Sequence, residues 1–181
     1  MRRLNVYLTH GILVLFFIHA IAGLFQVTGL MNGGNQILGI LAYIMLGCIG
    51  LHVIISSIFT MQTLFAIKKS GVSYFKENRL FWARRISGFA LMIGIIAHLL
   101  IFINSGAVVR LHYFGIVELC LHIFLLLCIA VHVLTNIGPA MIGLGAESLK
   151  QYSVDILMII SIILMMMAVG FVVYYLRWNT I

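Results

Sequence analysis

Five long apolar runs leave this chain one kind of solvent. They fall at roughly residues 6–28, 37–67, 81–104, 113–138 and 154–176, and a membrane-spanning helix needs about 20 largely apolar residues. Charged residues make up 8% of the chain, against about 25% in soluble domains. So little charge cannot cover a surface that faces water. The expected fold class is therefore an all-α membrane protein, with five transmembrane helices in one bundle. Residues 1–181 read as a single domain, because no Ser-rich or Gly-rich linker and no repeat interrupts the runs. The second run is longer than a bilayer requires and should tilt or project beyond it. Pro139, the only proline, should kink or stop the fourth, although apolar character resumes as far as Gly145. Arg2, Arg3, the run after them and Ala20-Ile21-Ala22 resemble a signal peptide with a small-residue cleavage site. The segment is read here as a true first helix.

The net charge of +7 comes from basic residues placed at the ends of these runs, where they orient a membrane protein. They form no stripe on a soluble domain, which argues against nucleic acid. Arg2, Arg3, Lys68, Lys69, Lys76, Arg79, Arg84, Arg85 and Lys150 fall on one side, and only Arg110 and Arg177 on the other. The positive-inside rule puts the N-terminus in the cytoplasm and the C-terminus outside. Aromatic residues mark both borders: Tyr7, Phe81 and Trp82 inside, Tyr113, Tyr175 and Trp178 outside. The basic segment 68–80 is the candidate docking surface for a cytoplasmic partner. Cys48, Cys120 and Cys128 sit inside apolar runs and read as small hydrophobes. No Cys-x-x-Cys-His occurs, which argues against covalently attached haem.

Ionisable residues inside a membrane are costly, so they are functional by default. His19, His52, His98 and His132 lie on helices one to four, and helix five has no histidine. His19 and His98 are about 13 and 17 residues from the inner ends of their helices, or roughly 20 and 25 Å up. His52 and His132 are about 15 and 19 residues from the outer ends of theirs, or roughly 22 and 28 Å down. The four thus form an outer pair and an inner pair, each drawn from two helices of the same direction. An iron with two axial imidazoles needs histidines on facing helices at matched depth. A structural zinc would want about four converging ligands instead. The competing reading for any one such histidine is an interhelical hydrogen bond. His122 lies near the level of the outer pair and stays open as an outer ligand. His10 and His19 point to opposite faces of helix one and cannot both face the bundle centre.

Arg85-Ile86-Ser87-Gly88, nine further residues and His98 resemble the (Gln/Arg)-x-(Ser/Thr)-Gly-x9-His segment of dihaem cytochrome b subunits in succinate dehydrogenases and fumarate reductases. Upstream, Gly71-Val72-Ser73-Tyr74-Phe75-Lys76 and Asn78 look like the basic aromatic stretch that leads into that helix. Gly145, thirteen residues after His132, looks like the glycine that ends that helix in the family. The likeness runs along nearly the whole chain. It implies two b haems, an outer one on His19 and His98 and an inner one on His52 and His132. It implies that Gly88 lets a haem approach the backbone closely, and that Arg84, Arg85 and Ser87 meet inner propionates, with Arg110 either doing so outside or only solvated. The family carries electrons between a quinone and two cytoplasmic partners, an iron–sulfur protein and a flavoprotein that interconverts succinate and fumarate. This chain has no flavin fingerprint and no cluster-type cysteine spacing. It would be the membrane subunit that anchors the complex in the cytoplasmic membrane, conducts electrons and hosts quinone. The five-helix, two-haem members imply menaquinone.

Glu118 is the one carboxylate well inside an apolar run, one turn from His122. The two are the candidate outer quinone site, with His112 as a proton relay. An interface carboxylate open to water is the plainer reading of Glu118. Ala130-Val131 stands where certain fumarate reductases carry a proton-moving Glu, so no proton path is expected there. Two other readings compete with this one. The first is a b-haem anchor for a hydrogenase or formate dehydrogenase, and the second is a haem-free membrane scaffold.

Overall fold

A computed structural model describes residues 2–70, 79–102, 114–143 and 152–179. They form five helices: α1 (Arg2–Val27), α2 (Gln36–Ser70), α3 (Arg79–Phe102), α4 (Ile116–Gly143) and α5 (Tyr152–Asn179). All five are long and apolar enough to cross a membrane, which makes the chain a multi-pass membrane protein. The stretch 71–78, Arg110, His112, Tyr113, Gly145 and Lys150 lie outside the described residues.

Large side chains such as Leu51, Ile54, Leu100, Leu127 and Met165 are exposed along the helices. In water they would drive aggregation; in lipid they face their solvent. The buried core is narrow. It joins Ala20 and Val27 of α1, Leu126 of α4 and Ile160, Leu164, Met167, Phe171 and Tyr174 of α5, with Phe114 just ahead of α4. Close backbone packing pairs α3 with α4, α1 with α2, and α5 with both α1 and α4. Helix α1 also meets α4. Among the described residues α2 packs comparably with neither α3 nor α4, nor α1 with α3. The bundle is thus two hairpins, α1–α2 and α3–α4, joined along α1, α4 and α5, with the α2–α3 side not closed by helix packing.

Small residues set the tightest interface. A Cβ on Gly94 of α3 would lie 2.9 Å from Leu125 Cδ1 of α4, so glycine permits the close α3–α4 approach. Two helix starts are capped by side chains. The Asn35 carboxamide oxygen accepts from the amides of Ile37 and Leu38 at the head of α2. Glu118, three residues after Gly115, reaches back to accept from the Gly115 amide at 2.9 Å, which is half of a capping box.

Pro139 does not stop α4, which runs on to Gly143. A proline leaves the carbonyl four residues earlier without its helical donor. Here that carbonyl belongs to Thr135, and Arg84 of α3 donates its Nε–H to it at 2.7 Å. A neighbouring helix that satisfies the freed acceptor is what lets proline persist within a span.

Candidate functional site

The first cluster, expected in the outer half, lies between α1, α3 and α4. The rings of His19 and His98 stand edge to face with centroids 6.0 Å apart, although α1 and α3 do not pack closely on each other. His98 Nδ1 is 3.2 Å from His122 Nε2. His122 in turn donates from Nδ1 to the Glu118 carbonyl at 2.6 Å. His122 is 1% exposed and is enclosed by the rings of Phe102, Phe114 and Phe171.

The second cluster, expected in the inner half, also holds its histidines by side-chain hydrogen bonds. His52 of α2 has its Nδ1 at 3.1 Å from the Asn5 side-chain oxygen and 3.5 Å from the Thr9 hydroxyl, both on α1. His132 of α4 has its Nδ1 at 3.3 Å from the Ser87 hydroxyl of α3. Ser87 donates its own proton to the Arg84 carbonyl at 3.2 Å, so its oxygen is free to accept from His132. His132 lies near enough to His52 and to Arg85 to interact with both electrostatically. A Cβ on Gly88 would come within 3.2 Å of His132 Cε1.

A common logic runs through these contacts. In His52, His98 and His132 the Nδ1 edge is held by a side chain of the same hairpin: Asn5 on α1 for α2, His122 on α4 for α3, Ser87 on α3 for α4. A histidine that ligates a metal through one nitrogen typically donates its other N–H to a protein acceptor, which fixes the tautomer. With an acceptor at Nδ1, each of the three has Nε2 as its lone-pair nitrogen, and in His52 that nitrogen stands 3.5 Å from the Ser56 hydroxyl. Two imidazoles on one iron stand with centroids roughly 6 Å apart, once two metal–nitrogen bonds of about 2 Å and the ring radii are added. The His19–His98 separation matches that figure. Among the described residues no three His, Cys, Asp or Glu side chains converge as a metal cage. Arg85 adds a further sign of fit. Its guanidinium sits over the Phe81 ring, 5.0 Å from the centroid, and its buried Nε has no hydrogen-bond partner. A carboxylate of a bound group would satisfy it.

Comparison with protein-family models, with curated proteins and with solved structures found no match.

Several residues have different neighbours from those expected of them. Ser87 and Gly88 both serve His132, one by bonding its Nδ1 and the other by making room for its ring. Arg84 Nε is engaged at Thr135, while its remaining N–H groups carry no described bond. Glu118 and His122 do come together, but through the Glu118 backbone. The Glu118 carboxylate caps α4, and both His122 nitrogens are occupied in a site closed to solvent. Only the second carboxylate oxygen of Glu118 stays open to another partner among the described residues.

Asn5, Thr9 and Gln26 are the polar groups that sequence reasoning missed. Asn5 and Thr9 are one helical turn apart in an otherwise apolar stretch, which is the signal that would have found them. Gln26 lines a groove of about 220 Å³ between α1 and the head of α2, together with His19, Asn35, Ile18, Leu38 and Ala42.

Proposed function

We propose that this chain is a dihaem cytochrome b that anchors a succinate:quinone oxidoreductase, either a succinate dehydrogenase or a fumarate reductase, in the cytoplasmic membrane. The observation that carries the reading is the outer pair. His19 and His98 come from helices that otherwise stand apart, their rings are at the spacing of two axial ligands, and His98 has a hydrogen-bonded Nδ1 and a bare Nε2. His52 and His132 supply the second expected pair, each with a side chain against its Nδ1.

Bound haem iron supplies reversible one-electron transfer. The chain's own residues do the rest. Asn5, Ser87 and His122 hold three of the four ligand rings. Arg85, whose buried Nε has no partner, would hold a carboxylate of the bound group, and Arg84 would contribute its remaining N–H groups. The lipid-facing surface keeps water from the span. Electrons pass between a quinone at the outer end and an iron–sulfur protein, with its flavoprotein, on the basic cytoplasmic side. Two places at the outer end offer polar groups to a quinone, menaquinone by analogy with the five-helix members of the family: the groove at His19 and Gln26, and the open oxygen of Glu118.

A reduced-minus-oxidised spectrum with a pyridine haemochrome assay on the purified chain is the direct test. Two b haems per chain are expected. The intact complex should then show flavin and succinate-driven haem reduction. A folded chain without haem sinks the reading, and two haems without a flavoprotein partner point to another quinone-linked enzyme.

A further inference from the structure

Among the described residues His122 is the most enclosed polar side chain, and its hydrogen bonds have a direction. A carbonyl oxygen can only accept, so the 2.6 Å contact with the Glu118 carbonyl places the proton on His122 Nδ1. A charged ring at this 1% exposed site would be an unpaired cation among three phenyl rings, which is heavily disfavoured. The ring is therefore neutral, and its Nε2 carries a lone pair. The 3.2 Å contact to His98 Nδ1 then has one polarity: His98 donates and His122 accepts. By exclusion, the His98 nitrogen without a proton is Nε2.

We infer that His122 is a positioning residue that holds His98 in the tautomer whose Nε2 is bare and directed to metal ligation, by relaying the hydrogen-bonding polarity of the Glu118 carbonyl. The inference rests on the two-haem reading for its function, but the tautomer itself follows from the three-residue relay. It also assigns His122 a role other than ligand or quinone contact, because the nitrogen either role would need already accepts from His98. The backbone carbonyl that starts the relay is fixed by the helix, and the polarity holds while the enclosed His122 ring is neutral. Phe102 holds the His98 ring as well, with centroids 4.7 Å apart, so its plane and its tautomer are set together.

A hydrogen bond donated from the far nitrogen makes an imidazole a stronger donor to a metal and favours the oxidised iron. His122→Phe removes the acceptor and keeps an aromatic ring in the aromatic box. His122→Gln returns an acceptor oxygen. In the full chain, purified in detergent and labelled with ¹⁵N-histidine, haem-free wild type should show His98 protonated at Nδ1 by at least tenfold over Nε2. His122→Phe should level or invert that ratio, and His122→Gln should keep it. In the haem-loaded chain, the outer-haem reduction equilibrium should shift at least tenfold toward the reduced form in His122→Phe. That is 59 mV for a one-electron couple. The inner haem should stay unchanged, and His122→Gln should stay near wild type. His98 protonated at Nε2 in the folded wild type overturns the inference, whether or not haem binds. So does an outer-haem potential equal in wild type and His122→Phe, or equal loss of outer haem in both variants. A wild-type chain with the Nδ1 tautomer but no haem removes the proposed function and leaves the tautomer assignment standing.

Discussion

Arg84 Nε donates to the Thr135 carbonyl at 2.7 Å, and Thr135 is the residue whose carbonyl Pro139 deprives of a helical N–H. The two features are one unit. Arg84→Leu should destabilise the bundle by about 1–3 kcal/mol, the cost of a buried acceptor without a donor. In a Pro139→Ala background the backbone amide returns, and the same change should cost far less. A double-mutant cycle in detergent unfolding reads the coupling, expected above about 0.5 kcal/mol. Additive losses would mean that the guanidinium does not support the proline turn.

The histidine pairs predict haem loss in twos. His19→Leu and His98→Leu should each leave one haem with the inner haem's spectrum and potential. His52→Leu and His132→Leu should each leave one with the outer haem's properties. Haemochrome stoichiometry with redox titration checks this. If His19→Leu and His132→Leu remove the same haem, the pairing by depth is wrong.

The residues that hold the inner rings should matter without being ligands. Ser87→Ala and Asn5→Leu each take away the partner of an Nδ1. Loss of such a partner commonly weakens metal binding about 10–100-fold. Haem transfer to a soluble apoglobin should accelerate for the inner haem alone, by a similar factor. Transfer of both haems at equal rates would point to general loosening.

Two glycines of α3 should behave differently. A side chain at Gly88 meets the His132 ring, whereas one at Gly94 meets Leu125. Gly88→Val should displace the inner haem while the fold survives. Gly94→Val should lower stability with both haems retained in whatever remains folded. Thermal melts beside haem content separate the two outcomes, and the reverse pattern would refute the assignment of Gly88 to His132.

The two candidate quinone positions make opposite forecasts. Gln26→Leu should lower quinone turnover if the α1–α2 groove is used, and Glu118→Gln should do so if the open carboxylate oxygen is used. Neither should change the haem spectrum. Glu118→Gln can keep the cap on α4, since a carboxamide oxygen still accepts from the Gly115 amide. Steady-state turnover with a soluble quinone analogue decides between them, and unchanged turnover in both variants rejects both positions.

By itself the sequence determined the number of spans, their approximate limits and the separation of the histidines into two depths. These follow from the length and apolar character of the runs and from a constant helical rise, which need no knowledge of neighbours. Boundaries came within a few residues for that reason, and α4 continues past the expected end at 138 to Gly143 because the donor that sustains it at Pro139 comes from another helix. The histidine partners were beyond reach in the same way. Nothing in the order of residues says that Asn5 meets His52, that Ser87 and Gly88 serve His132, or that His122 meets His98. Only packing decides these contacts, because the rotation of each helix about its own axis is set by neighbours such as Gly94 against Leu125. An apolar run shows where a helix crosses, but when its surface is apolar on every side it carries no mark of which side turns inward. The tertiary structure supplied that side, and with it the partners at Nδ1 of His52, His98 and His132.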